Sequence, residues 1–176
     1  MSTNKWVLDP THSEVGFKVK HLMITNVSGN FAKFNAEAES SDDSFNDAKM
    51  TFTADIDSIS TNNEQRDGHL KSPDFFDAAN HPHLTIEANG LKGNGENRQL
   101  EGSLTLRGVT KPVQFNVDFG GVAKDPWGNT KAGFTLSGTI NRKDFGLTWN
   151  APTEAGGLLV SEDVKLHAEI QLVKQG

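Results

Sequence analysis

The sequence predicts an all-β chain: eight half-buried antiparallel strands with one short helical insert. Three observations carry this reading. Apolar residues recur at every second position through about eight separate runs, the period of a strand with one dry and one wet face. Turn chemistry separates the runs. One stretch, Thr61 to Phe76, abandons the alternation and carries helix signals instead.

The first run places Val15, Phe17 and Val19 between Glu14, Gly16, Lys18 and Lys20. A short break follows near His21 to Asn26. Phe34, Ala36 and Ala38 then alternate with Asn35, Glu37 and Glu39, and Met50, Phe52, Ala54 and Ile56 continue the pattern. In the helical insert, Thr61 and Glu64 have capping-box spacing, Arg66 and Leu70 lie one turn apart, and Ser72-Pro73 stops the helix. Strand rhythm returns with Leu84, Ile86 and Ala88, then Leu100, Gly102, Leu104 and Leu106 across a Gly93–Asn97 hairpin loop. The segment Arg107–Pro112 links to Val113, Phe115, Val117 and Phe119, with the proline expected at a strand start. Asp125-Pro126-Trp127-Gly128 reads as a type I turn before Ala132, Phe134, Leu136, Gly138 and Ile140. Arg142 to Phe145 forms a further turn that Gly146 stops. Val164, Leu166, Ala168, Ile170 and Leu172 make the last and clearest run.

Hairpin-linked, half-buried strands fit a sandwich or a closed barrel, and closure removes the exposed edges. Periodicity does not decide between them. The inward positions mix large rings (Phe17, Phe52, Phe115, Phe134) with small residues (Ala36, Ala54, Ala88, Gly102, Gly138, Ala168). An eight-stranded barrel is either just filled by its side chains or holds one small ligand. The small residues favour a cavity, and Ala54 and Gly138 are expected to border free space. Rings from neighbouring strands filling those gaps would give the opposite result.

The chain of 176 residues is expected to form one domain. Its formal net charge of −6 argues against nucleic acid or an anionic membrane surface as a partner. With no cysteine, disulfides and thiolate chemistry are excluded. No apolar run is long enough to span a bilayer. The start of the chain lacks a leader pattern, so the expected location is cytoplasmic, or periplasmic or secreted if a leader has been removed. The sequence leaves a homodimer open.

Motifs outside the strands add a resemblance. They are Trp6-Val-Leu-Asp9 through His12-Ser13, Phe17-Lys-Val-Lys-His21, Gly29-Asn-Phe31, and Ser58-Ile-Ser-Thr61 running into Arg66-Asp67-Gly68-His69-Leu70. Asp74-Phe75-Phe76-Asp77, His81-Pro82, Gly102-Ser-Leu-Thr-Leu106 with Gly108-Val-Thr-Lys111, and Asn141-Arg142-Lys-Asp-Phe145-Gly146 follow. In order and spacing the chain resembles the YceI-like, or polyisoprenoid-binding, family over nearly its whole length. The resemblance implies a lipocalin-like eight-stranded antiparallel barrel around a long apolar ligand. It implies no cofactor beyond that lipid, a polyisoprenoid, an isoprenoid quinone or a fatty-acid-like chain. Many relatives carry a secretion leader, which this sequence does not show.

The expected lining is Phe17, Val19, Phe52, Ile56, Ile86, Leu104, Phe115, Val117, Phe134, Leu136, Leu166 and Ile170, with Phe75 and Phe76 contributing after the helix. Arg66, Asp67, His69 and Leu70 are expected to form a mouth or lid, and Trp149 either to close a mouth or to lie on the surface. Arg66, Asp67 and His69 are the most enzyme-like cluster. They lack a nucleophile, and Arg66 is expected to pair with Asp67, Asp74 or Asp77, or to touch a ligand headgroup. His81, His83 and Asp77 are a weak metal pattern because a proline separates the histidines. His12 and His21 are read as network or mouth residues. The leading expectation is a non-enzymatic lipid carrier, reservoir or sequestering protein. The alternatives are a small enzyme using His69 or His21 with a carboxylate, and a stress-linked interaction module with a structural lipid.

Overall fold

A computed structural model of the chain describes residues 3–21, 24–148 and 160–175. Its strands are β1 (Asn4–Leu8), β2 (Glu14–His21), β3 (Thr25–Phe31), β4 (Phe34–Ser40), β5 (Lys49–Asp55), β6 (Ile59–Ser60), β7 (His83–Asn94), β8 (Asn97–Leu106), β9 (Val109–Lys124), β10 (Thr130–Asn141) and β11 (Val160–Gln175). The one α-helix, α1, is Glu64–Lys71. All strand pairs are antiparallel, in the order β1-β4-β5-β7-β8-β9-β10-β11, and β11 returns to β1. This is a closed eight-stranded barrel rather than a sandwich. Strands β2, β3 and β6 extend one end of it.

All eight alternating runs are strands. Three further strands, β1, β3 and β6, escaped the alternation rule because each continues a broken wall. Pro10–His12 interrupts β1 and β2, Ala32-Lys33 separate β3 from β4, and Ile56–Ser58 separate β5 from β6. The lower halves pair β1 with β4, and the upper halves pair β2 with β3 and β3 with β6. Between β6 and β7 the wall parts, and α1 with its exit segment occupies the gap in sequence.

Local chemistry fixes the turns. Arg107 and Gly108 both have positive φ, 52° and 74°. They form the tight primed turn that suits a hairpin. Strand β9 therefore starts at Val109, and Pro112 sits inside it opposite Ser103 rather than at its start. Asn63, not Thr61, caps α1: its side chain accepts from the Arg66 amide at 3.0 Å. Ser72 closes the helix as expected, and Gly146 caps the Arg142–Phe145 turn in the left-handed region.

Two buried clusters occupy the interior. One gathers Trp6, Phe45, Phe119 and Phe134 with Leu91, Leu100 and Leu172. The other gathers Phe17, Phe31, Ile56, Ile59, Phe75, Leu104 and Phe145. In the first, the Trp6 indole donates to the buried Ser40 hydroxyl at 3.1 Å, which satisfies its one polar atom.

Asp9 secures the break between β1 and β2. Its carboxylate accepts from Lys131 Nζ at 2.6 Å and from the Thr11 amide and hydroxyl at 3.1 and 2.8 Å, and it pairs with His12 Nδ1 at 2.8 Å. The Lys131 ammonium, opposed by burial and supported by His12 and Thr11, holds the Asp9 carboxyl far below the usual carboxylate range. A depressed folded pKa gives stability that is complete above the unfolded value, near 3.9, and is lost as pH falls toward the folded value. Asp9→Asn should therefore be less stable than the parent at neutral pH, with the gap narrowing below about pH 4. Thermal melts of both proteins across that window measure this.

Candidate functional site

The space between the two clusters is a partly open cavity of about 410 Å³, lined from Leu91, Phe134 and Leu172 to His21, Arg66 and His69. Strand alternation explains its surface, since each wall sends every second residue inward. Strand β2 supplies Phe17 and Val19, β5 supplies Phe52, and β7 and β8 supply Ile86 and Leu104. Across the lumen, β9 supplies Phe115 and Val117, β10 supplies Phe134 and Leu136, and β11 supplies Leu166 and Ile170. Phe75 and Phe76 reach the lumen together from the segment after α1. Of the anticipated wall residues, Ile56 alone is elsewhere: it begins the short turn after β5 and is fully buried in the second cluster.

Sequence reasoning missed part of the lining. Met50, Leu84, Leu91, Leu100, Ile140 and Val164 belong to it. All but Leu91 lie on runs whose alternation already marked them as inward. Leu91 sits beyond a register shift in β7, which hid it.

The small residues divide into two groups. Ala36, Ala38, Ala88 and Ala168 line the cavity. Ala54 and Gly138 do not border free space. Ala54 is completely buried. At Gly138 the Phe115 ring fills the position that a Cβ would take, and at Gly102 the Glu87 carbonyl and Ala88 do the same. At those sites neighbouring groups occupy the gap.

The mouth lies where β2 ends and α1 begins. His21, Thr61, Arg66, His69 and Leu70 line it. Arg66 makes no carboxylate pair of the kind anticipated. Its Nε donates to the Thr61 hydroxyl at 2.8 Å and its Nη2 to the Thr61 carbonyl at 2.7 Å. Asp67 lies outside the lining and accepts from the same Thr61, from the amide at 2.8 Å and the hydroxyl at 2.6 Å. Thr61 thus ties Arg66 and Asp67 of α1 to the end of β6. His69 pairs with Asp74 at 2.9 Å and meets the Phe75 ring edge-on at 5.0 Å. The buried Arg142 backs the rim, donating to the carbonyls of Leu147 at 2.6 Å and Ser161 at 2.8 Å. Burial pushes its guanidinium down from the usual value, against the pull of Glu162. Trp149 falls outside the described residues.

Below the rim the lining is almost wholly apolar, and Glu37 is its one carboxylate among the described residues. The histidines do not converge. His83 pairs with Asp55 at 2.9 Å, His81 lies against Gly108, and His12 belongs to the Asp9 network. No described group of three or more such side chains is placed to hold a metal ion.

Residues 6–172 match the model of the YceI-like domain. The chain belongs to the YceI-like family. A UPF0312 protein of Staphylococcus aureus strain N315 is 37% identical over 167 residues, covering 94% of this chain and 95% of its own. The crystal structure of the Campylobacter jejuni YceI protein superposes with a TM-score of 0.75 at 36% identity, covering 96% of this chain and 97% of that one. Burkholderia cenocepacia BcnA, at 21% identity, shares the fold with a TM-score of 0.78 over 93% of this chain and 98% of its own. A polyisoprenoid binding domain from Saccharophagus degradans has the same fold, with a TM-score of 0.64 at 16% identity, over 97% and 98% of the two chains. Among the described residues of this YceI-like chain, no helix is long and apolar enough to cross a membrane.

The occupied glycine sites make a direct check on the packing. Gly138→Ala should cost about 1–3 kcal/mol, because the added carbon must displace the Phe115 ring. Urea unfolding of the variant beside the parent reads this difference.

Proposed function

We propose that this YceI-like barrel binds one long apolar chain in its lumen, as a carrier, reservoir or sequestering protein, and does no chemistry on it. The observation that carries the reading is the partly open cavity between the two clusters, almost wholly apolar below its rim. On β11 the lining runs from Val160 to Leu172. At strand rise and barrel tilt that is a lumen of roughly 30 Å along the axis. A polyisoprenoid, an isoprenoid quinone or a fatty-acid-like tail fits such a space. Each methylene removed from water contributes about 0.8 kcal/mol, and the force is non-directional. The lumen therefore selects girth and length ahead of identity. The Saccharophagus domain named for polyisoprenoid binding has the same fold, a likeness that at 16% identity extends to the fold alone.

In this reading the polar end of the ligand stays at the rim near Arg66 and His21, and α1 with Leu70, Phe75 and Phe76 acts as the lid. Among the described residues, no polar groups converge deep in the lumen, where an enzyme would need them. The His69–Asp74 pair lies at the rim, and the hydroxyl beside it, Ser72, is committed to the backbone, donating to the His69 carbonyl and accepting from the Asp74 amide.

The test is organic extraction of protein purified from its native cell, followed by mass spectrometry, and exchange of a fluorescent prenol measured on stripped protein. A homogeneous apolar lipid that exchanges under mild conditions supports a carrier. A lipid that does not exchange supports a structural filler, and turnover lost in His69→Ala supports an enzyme. Ala168→Phe, which puts a ring into the lumen, should lower retention about tenfold, the equivalent of roughly two methylenes excluded from it. Arg66→Ala should speed exchange several-fold by releasing α1 from Thr61, and His69→Ala should leave retention unchanged. Stopped-flow release of the probe reads both rates.

A further inference from the structure

The closed end of the barrel is made by a loop that no strand pattern explains. Between β4 and β5 the chain turns inward, and Phe45 is fully buried with a φ of 61°. A bulky residue in the left-handed region is a genuine backbone outlier, kept only where its surroundings enforce it. Here they do. The Phe45 ring lies 4.9 Å from Trp6, 5.6 Å from Phe119 and 5.0 Å from Phe134, edge-on to the last two. Arg98, itself buried, clamps the loop from β8: its Nη1 donates to the Ser44 carbonyl and to Asn46 Oδ1, each at 2.9 Å. The loop also pairs its backbone with β7, where the Leu91 amide donates to the Phe45 carbonyl at 3.1 Å. Phe134, Leu172, Leu91, Leu100 and Ala38 all line the lowest part of the lumen and belong to the same cluster as Phe45.

We infer that Phe45, held across the barrel from the β4–β5 loop, is the end stop that sets how long an apolar chain the lumen accepts. The inference rests on the reading of the lumen as a lipid site and adds a length class to it. A tail gains burial with each added unit until its end meets Phe134 backed by Phe45; beyond that length the extra units stay in water at the mouth. Retention then rises with chain length up to a break point and levels off. The Phe45 ring fixes the break point from below. Ala38, beside Trp6 in register on β4, sets the free width just above it.

The experiment loads stripped protein with a ladder of prenols rising by one isoprene unit, removes free lipid, and measures retention of each length by mass spectrometry. The parent should show a break point. Phe45→Ala should move it up by about one isoprene unit, because the space left by a buried ring is only partly refilled. Phe45→Leu, which keeps most of the packing, should move it in the same direction by less. Ala38→Leu, which adds volume above the stop, should move it down. Should Phe45→Ala fail to fold, Phe45→Leu and Ala38→Leu decide the matter. A break point that stays put in both folded variants overturns the end stop. Retention that keeps rising with length in the parent also overturns it, while leaving the lipid site intact. A parent that retains no prenol of any length overturns the lipid reading itself.

Discussion

Strand β11 is hydrogen-bonded along its length to β10 on one side and, on the other, to β2 above and β1 below. This double pairing is the constraint on which the barrel rests. Without it the sheet has two long edges of unpaired amides and carbonyls, and the apolar faces of β2 and β10 have no common interior. The break at Pro10–His12 is what lets one chain segment meet β11 in two registers. Asp9 makes that break rigid by satisfying the turn and tying it to Lys131 on β10. Backbone links also join it to β11: the Asp9 amide donates to Gln171, and the Ser13 hydroxyl bridges the Asp9 carbonyl and the Gln171 amide.

The two ends of the barrel are built on different physics. The floor is aromatic and dry, with Phe119 stacked on Phe134 at 5.1 Å and Arg98 over the Phe119 ring at 5.2 Å. Its polar atoms are consumed by backbone clamps, so the floor resists both water and deformation. The mouth is flanked by α1, eight residues long with none of them buried. Its attachment is a handful of polar contacts to Thr61 and the rings of Phe75 and Phe76. The cavity is thus bounded by one firmly packed end and one lightly held end.

Much of this was legible from residue order, and the failures are specific. Alternation located the lumen walls because a two-residue period survives any barrel curvature. It did not reveal β1, β3 or β6, where the strand is broken or the residues are largely polar, as in Asn26-Val27-Ser28-Gly29-Asn30. The cap of α1 was misplaced by two residues, because Thr61 and Asn63 both offer an oxygen at three-residue spacing; tertiary demand on Thr61 from Arg66 and Asp67 decided it. The free space expected at Gly138 is taken by Phe115 from the neighbouring strand, and sequence does not say which residues will be cross-strand neighbours. Phe45 left no signal at all. A lone ring among Ser41, Asp42, Asp43, Ser44 and Asn46 has no periodicity, and only the folded barrel shows that it faces inward.

The register that closes the barrel sets Lys5 opposite Gln175 and Leu8 opposite Leu172. The first and last strands are thus partners across almost the entire chain, the largest sequence separation available to it. During synthesis β1 and β2 leave the ribosome well before β11 exists, so until it is made they have no closing partner. Closure waits for β11, and it is slow because the loop it completes joins strands at opposite ends of the domain. Until β11 pairs, the apolar faces of β2 and β4 have no enclosed interior to bury against.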